Sequence, residues 1–208
     1  MADRKKVIEI IRAIGVRMEE CKDELTQLDQ PIGDSDHGIN MARGFHAVNQ
    51  KLEQLAGQDI GAMIKSVGMT LVSTVGGASG PLYGSAYMKA GMTLAGKTEM
   101  NQTDFLEMMR AATEAVMQRG KAVAGEATML DAMLPALKAM EAAAAAGKTT
   151  KEMLADGVTA AWAGTEHTKD LIATKGRASY VGERGLGHQD PGATSFSYML
   201  EVIAKAYC

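Results

Sequence analysis

Aromatic residues are scarce in this chain of 208 residues: three phenylalanines, five tyrosines and one tryptophan, 4% in all. A core is still affordable, because 46% of the residues are hydrophobic. Its packing must then come from aliphatic side chains and 16 methionines, which suits helices that meet through small and adaptable residues. Cysteine is nearly absent, and Cys21 and Cys208 stand near opposite ends, which favours free thiols in a reducing cytoplasm over a disulfide. No dense basic run is present and the formal net charge is −3, so nucleic acid or an anionic membrane is not the expected partner. No uninterrupted apolar run is long enough to span a bilayer. The N-terminus "MADRKKVIEI" leads charged into an amphipathic pattern, unlike a signal peptide. One cytoplasmic domain covering residues 1–208 is the expectation.

The apolar spacing is helical nearly everywhere. Val7, Ile10, Ile11, Ile14 and Met18 mark one face of a first helix over about 3–28. Further helices read at about 38–55, 59–75, 78–94 and, opened by Thr103 with Glu107 nearby, 103–119. Three more read at 127–146, 150–173 and 192–207. That makes about eight helices and no convincing alternating strand: an all-α fold. The breaks carry more information. "DQPIGDSDHG", "GGASGPLYG", "RGKAVAGEAT" and "KGRASYVGERGLGHQDPGATS" are rich in glycine or proline. The last is about twenty residues without a helical pattern, a loop length that is uncommon in compact domains and usually functional or disordered. Its arginines and histidine favour function.

Residues 91–98, "GMTLAGKT", match the P-loop pattern letter for letter. That motif needs a buried strand before it and a helix starting at its lysine, so that backbone N–H groups wrap phosphates. Here the preceding "YGSAYMKA" is helical in character, and no strand ending in a magnesium-binding aspartate follows. The stretch reads as a helix C-terminus with Gly96 as its terminator.

"DQPIGDSDHGIN" places Asp29, Asp34 and Asp36 within eight residues. On a helix Asp34 and Asp36 would diverge, whereas a tight loop lets all three converge. Like charges at ~4 Å repel by about 1 kcal/mol in water and by several times that near a protein surface. A divalent cation removes this cost, and oxygen-only ligands select magnesium or calcium. The calcium EF-hand pattern fails, because Phe45 stands where a bidentate glutamate is needed. The plain alternative is a solvated acidic turn with Asp36 capping the next helix. Three helix starts bearing glycine, at "HGIN", "GGAS" and "DPGATS", add N–H groups that favour phosphate. Pro191 sits at the preferred first-turn position, and Arg177 lies in the long loop.

"IGDSDHGINMARGF", "SVGGASGPLYG" and "KGRASYVGERGLGHQDPGATS" together resemble the ADP-binding L subunits of bacterial dihydroxyacetone kinases and the nucleotide-binding domain of single-chain, ATP-dependent ones. The resemblance spans essentially the whole chain. It implies a single-domain antiparallel eight-helix barrel with nucleotide, ADP or ATP, at one end. By position, Asp29, Asp34 and Asp36 would hold two Mg2+ ions on the phosphates and, with Arg177, form the catalytic set. His37, Gly38, Ile39, Asn40, Ala78, Ser79, Gly120, Thr128, Met129, Arg177, Asp190, Pro191 and Gly192 would bind the nucleotide. One departure stands out: "GEATM" carries Ala127 where the family often has lysine in "GDKTM".

The resemblance further implies partners: a ketose-binding K subunit, a phosphocarrier M subunit that rephosphorylates the bound ADP, a transcriptional regulator, and a second copy in a homodimer. Competing expectations are a kinase component for another small ketose, such as erythrulose, and a nucleotide-sensing module. Of the remaining histidines, His188 belongs to the long loop and His46 and His167 to helix surfaces.

Overall fold

The computed structural model describes residues 2–207. Among them the fold is carried by α1 (Arg4–Glu20), α2 (Lys22–Asp29), α3 (His37–Leu55), α4 (Ile60–Thr74) and α5 (Ser79–Thr93). The second half adds α6 (Gln102–Gly120), α7 (Leu130–Ala145), α8 (Thr150–His167) and α9 (Pro191–Lys205). The all-α expectation holds. Cys208 lies outside the described residues, and Cys21 is buried, with desolvation pushing its thiol up to about 11.

The structure departs from the sequence reading in several places. The first helix is two helices, because Cys21 leaves the helical conformation (φ −94°, ψ 10°) and ends α1. Met18, Cys21 and Leu25 are all buried across the break. The apolar period therefore runs on through it, and periodicity alone cannot show it. Two strands of two residues, β1 (Ala2–Asp3) and β2 (Glu99–Met100), pair antiparallel. They are too short for alternation to register. Helix α8 stops at His167 and gives way to a 3-10 turn over Thr168–Asp170.

Each helix packs on its neighbour in the chain from α3 through α9; α1 packs on α3, and α9 returns to α1. Counting α2 as the extension of α1, eight staves close into a barrel. Successive staves run antiparallel through connections that are short except for the one over 168–190 between α8 and α9.

Glycine sets the closest approach. On the α4–α5 seam a Cβ at Gly61 would stand 2.5 Å from the Gly91 carbonyl oxygen, and one at Gly68 2.7 Å from that of Gly84. Helix α7 contains Pro135, which cannot donate to the Asp131 carbonyl four residues back. Gly164 of α8 comes up against that freed oxygen, where a Cβ would sit 1.9 Å away.

The interior is filled by aliphatic side chains and by Met18, Met41, Met63, Met140 and Met153, each without measurable exposure. It also retains an apolar cavity of about 120 Å³ whose wall includes Tyr83, Tyr87, Phe105 and Phe196.

The P-loop look-alike is the end of α5. Gly96 adopts φ +76°, the left-handed conformation of a helix terminator. Lys97 Nζ donates to Asp104 Oδ1. Asp104 also belongs to the capping box with Asn101 that starts α6, two residues before the Thr103 start read from sequence. Lys97 is thus committed to joining helices.

Candidate functional site

At one end of the barrel the loops before α3, α5, α7 and α9 surround a cleft of about 330 Å³. Its acidic wall is the Asp29–Asp36 loop. Ser35 takes φ +60° between the two later aspartates, and this left-handed residue turns both carboxylates the same way. Ligand oxygens of Asp29, Asp34 and Asp36 all lie within 4.8 Å of one another.

The three are not equivalent. Asp29 is buried, and its Oδ2 accepts from the Asp36 N–H (2.9 Å) and the His37 N–H (3.3 Å). Asp36 makes no capping hydrogen bond. The cap of α3 therefore comes from a carboxylate seven residues upstream rather than from Asp36, and the Asp36 side chain is free for other work. Asp34 Oδ2 forms an ion pair with Arg177 Nε at 2.7 Å.

An all-oxygen set of three clustered carboxylates fits a hard divalent cation and does not fit zinc or copper. Helix α3 starts over this loop, and the start of α5 carries no side-chain cap. Its N-cap Ala78 and first residue Ser79 line the cleft with Gly76 and Gly77.

The opposite wall is apolar: Leu82, Val116, Ala122, Met129 and Leu130. Asp131 shapes its rim, accepting from the N–H groups of Gly125 (2.5 Å) and Thr128 (2.8 Å). Ala127 lies in this turn at φ +52°.

The long loop is less irregular than its sequence suggests. It forms 3-10 turns over Arg177–Tyr180 and Gly182–Gly185, and it brings Lys175, Gly176, Arg177 and Ala178 to the cleft. It is tied down next to the 123–128 turn, where Thr174 Oγ1 donates to Glu126 Oε1 (2.6 Å). That bond, with others, holds Glu126 below its usual carboxylate range.

At the start of α9, Asp190 caps Ala193 N–H (2.6 Å), and Pro191 and Gly192 reach the cleft. Burial, reinforced by Asp131 and Asp29, pushes the Asp190 carboxyl up to about 7. His37 is 7% exposed and both its ring nitrogens face hydroxyls. Burial brings it down to about 4, so its ring is neutral at physiological pH.

Of the residues singled out from the sequence, Asp29, Asp34, Asp36, His37, Ala78, Ser79, Gly120, Thr128, Met129, Arg177, Asp190, Pro191 and Gly192 all line this one cleft. Gly38, Ile39 and Asn40 do not. Gly38 packs on α2, where a Cβ would stand 1.9 Å from the Lys22 carbonyl oxygen. Ile39 is 49% exposed on another face of α3. Asn40 is buried behind Gly76 and accepts from Arg43 Nη2 (2.6 Å). A helical turn sends consecutive residues to different sides, so a four-residue motif cannot face one ligand in full.

Sequence reasoning missed Arg119 and Lys175, two cations on the cleft wall. The available signal was their position beside Gly120 and Arg177. His46, His167 and His188 are exposed, as expected of surface histidines.

A profile of the DAK2 domain family matches residues 31–205. The chain is 38% identical over 203 residues to "PEP-dependent dihydroxyacetone kinase, ADP-binding subunit DhaL" of Escherichia coli K12, covering 98% of this chain and 97% of that one. It is 43% identical over 202 residues to "PEP-dependent dihydroxyacetone kinase 2, ADP-binding subunit DhaL" of Listeria innocua, covering 94% and 91%. Among solved structures, the native dihydroxyacetone kinase of C. freundii superposes with a TM-score of 0.72 at 25% identity. The same enzyme in complex with AMP-PNP and Mg2+ gives 0.76 at 24%. This chain spans about a third of that kinase, 35% and 34% of the two chains.

Proposed function

The chain belongs to the DAK2 domain family, and from that premise we propose that it is the ADP-binding, phosphoryl-transferring subunit of a PEP-dependent dihydroxyacetone kinase. The observation that carries this reading is end-to-end identity of 38–43% with ADP-binding subunits of that kinase, over 91–97% of their length. A component for another small ketose, such as erythrulose, has no comparable observation in its favour.

Transfer of a phosphoryl group needs alignment and charge neutralisation more than covalent help from the protein. Asp29, Asp34 and Asp36 are the residues that would hold magnesium, two ions in this proposal. Bound there, the metal would neutralise phosphate oxygens and fix their orientation. The chain's own residues do the rest. The apolar wall of Leu82, Val116 and Met129 suits the base of a nucleotide, and the uncapped N–H groups at the start of α5 suit its phosphates. Arg177 carries a guanidinium that can pass from Asp34 to a phosphate oxygen, and the loop that carries it would close over the bound nucleotide.

The cleft has no covalent anchor for a ketose, so the acceptor arrives on a K subunit and the bound ADP is recharged by an M subunit. A homodimer, a cytoplasmic location and contact with a transcriptional regulator belong to the same proposal. Among the described residues no helix is long and apolar enough to cross a membrane.

The test is reconstitution. Purified chain with MgATP and dihydroxyacetone should produce no sugar phosphate. Addition of a K subunit, an M subunit and a PEP-driven phosphate supply should restore turnover. Robust turnover by the chain alone would overturn the assignment as a subunit.

A further inference from the structure

Four side chains form an unbroken polar line from the barrel interior to the cleft. Tyr83, whose ring lines the interior cavity, places its Oη 2.7 Å from Ser195 Oγ and 3.2 Å from the Gly192 carbonyl oxygen. Ser195 Oγ lies 2.9 Å from His37 Nε2 and 3.0 Å from the same carbonyl. His37 Nδ1 lies 3.0 Å from Ser79 Oγ, and Ser79 lines the cleft. Ser195 has no exposure and Tyr83 3%, so water cannot replace either link.

Neither imidazole nitrogen meets a carboxylate; both face hydroxyls. A ring between two hydroxyls is satisfied when one nitrogen donates and the other accepts. Two arrangements then satisfy the line. In the first, Nε2–H donates to Ser195, Ser195 donates to the Gly192 carbonyl, and Ser79 must donate to Nδ1. Ser79 would then offer the cleft only lone pairs. In the second, Tyr83 donates to Ser195, Ser195 donates to Nε2, Nδ1–H donates to Ser79, and the Ser79 proton points into the cleft.

A chain of bonds running in one direction polarises each member and strengthens the next. Tyr83 is the phenolic donor that starts such a chain, and its shortest contact is to Ser195. The second arrangement also delivers a donor where an anionic phosphate oxygen would be received.

We infer that Tyr83 and Ser195 are positioning residues that hold His37 as its Nδ1–H tautomer, so that Ser79 presents an O–H to an anionic oxygen in the cleft. This rests on the nucleotide reading of the cleft, but the tautomer itself does not. Tyr83 and Ser195 act through His37 and need not touch the nucleotide.

Two measurements on the full chain test it. Side-chain nitrogen spectra of 15N-labelled protein, with the signal assigned by His37→Gln, should show Nδ1 protonated and Nε2 as the acceptor. Tyr83→Phe removes only the phenolic O–H and should shift the population toward Nε2–H. Calorimetric titration with MgADP should show binding weakened about three- to tenfold in Tyr83→Phe, the scale of one neutral hydrogen bond. The same substitution should cost nothing further once Ser79→Ala is in place. If Tyr83→Phe does not fold, Ser195→Ala cuts the line one bond later and carries the same expectation. An Nε2–H tautomer in the wild type, or additive losses in the double variant, would overturn the inference. A wild type that shows the Nδ1–H tautomer yet binds no MgADP would instead overturn the proposed function.

Discussion

Asp34→Asn separates a metal site from a solvated acidic turn, because the two readings give opposite signs. Without ligand, the substitution relieves repulsion between Asp34 and its two neighbours, whose oxygens lie within 4.8 Å. At ~5 Å each pair costs about 1 kcal/mol in water. Against this stands the loss of the Arg177–Asp34 ion pair. With the Arg177 side chain 64% exposed, that pair is worth about 0–1 kcal/mol. The ligand-free variant should therefore melt within a few degrees of wild type, on the stabilised side. With MgADP at about one hundred times its dissociation constant, wild type gains about 2.7 kcal/mol. For a chain of this size that raises the midpoint by about 5–10 °C. Asp34→Asn should lose this rise, and chelation of magnesium should abolish it in wild type. Melting curves with and without magnesium and ADP decide the matter. A variant that keeps the full rise refutes the metal assignment, and one that melts far lower without ligand makes the carboxylate structural.

Arg177→Ala should speed release of a fluorescent ADP analogue about ten- to over a hundredfold in stopped flow, since charge-assisted bonds to phosphate contribute roughly 1.5–3 kcal/mol. Lys97→Ala, which cuts the tie to Asp104 at the start of α6, should lower the thermal midpoint slightly and leave release unchanged. His37 sits near 4 in the fold against 6.5 in a model peptide. The unfolded chain thus binds the proton first, and the stabilising contribution is complete above about pH 6.5 and lost as pH falls toward 4. Urea titrations should show the advantage of wild type over His37→Gln growing by about 3 kcal/mol between pH 4 and 6.5. A difference that does not change with pH would refute a buried neutral ring.

The helices were legible because a 3.6-residue apolar period is a local property, and a barrel of single-faced helices imposes it throughout. The break at Cys21 was not, since Met18, Cys21 and Leu25 keep the period across it. Glycine-rich breaks pointed to the cleft because each precedes a helix start that the barrel gathers at one end. The cations Arg119 and Lys175 left only their position beside Gly120 and Arg177 as a signal, because a lone basic residue looks the same whether it faces solvent or a cleft. The network through Ser195 was hidden for a different reason. Tyr83 and Ser195 are 112 residues apart and His37 and Ser195 are 158 apart, and only closure of α9 onto α1 brings them together.

The sequence presents three equal aspartates, and the fold ranks them. Asp29 Oδ2 takes both N–H groups that begin α3, so removing its charge would loosen the helix start as well as the cation site. It would also move His37, and through it Ser79. Loss of nucleotide binding in an Asp29 variant could not then be assigned to metal alone. Asp34 and Asp36 carry no such duty toward α3, since Asp36 leaves the cap to Asp29 and Asp34 is paired with the exposed Arg177. The residue with the strongest structural claim is therefore the weakest probe of the chemistry. The two that look loosely held are where charge, and charge alone, can be tested.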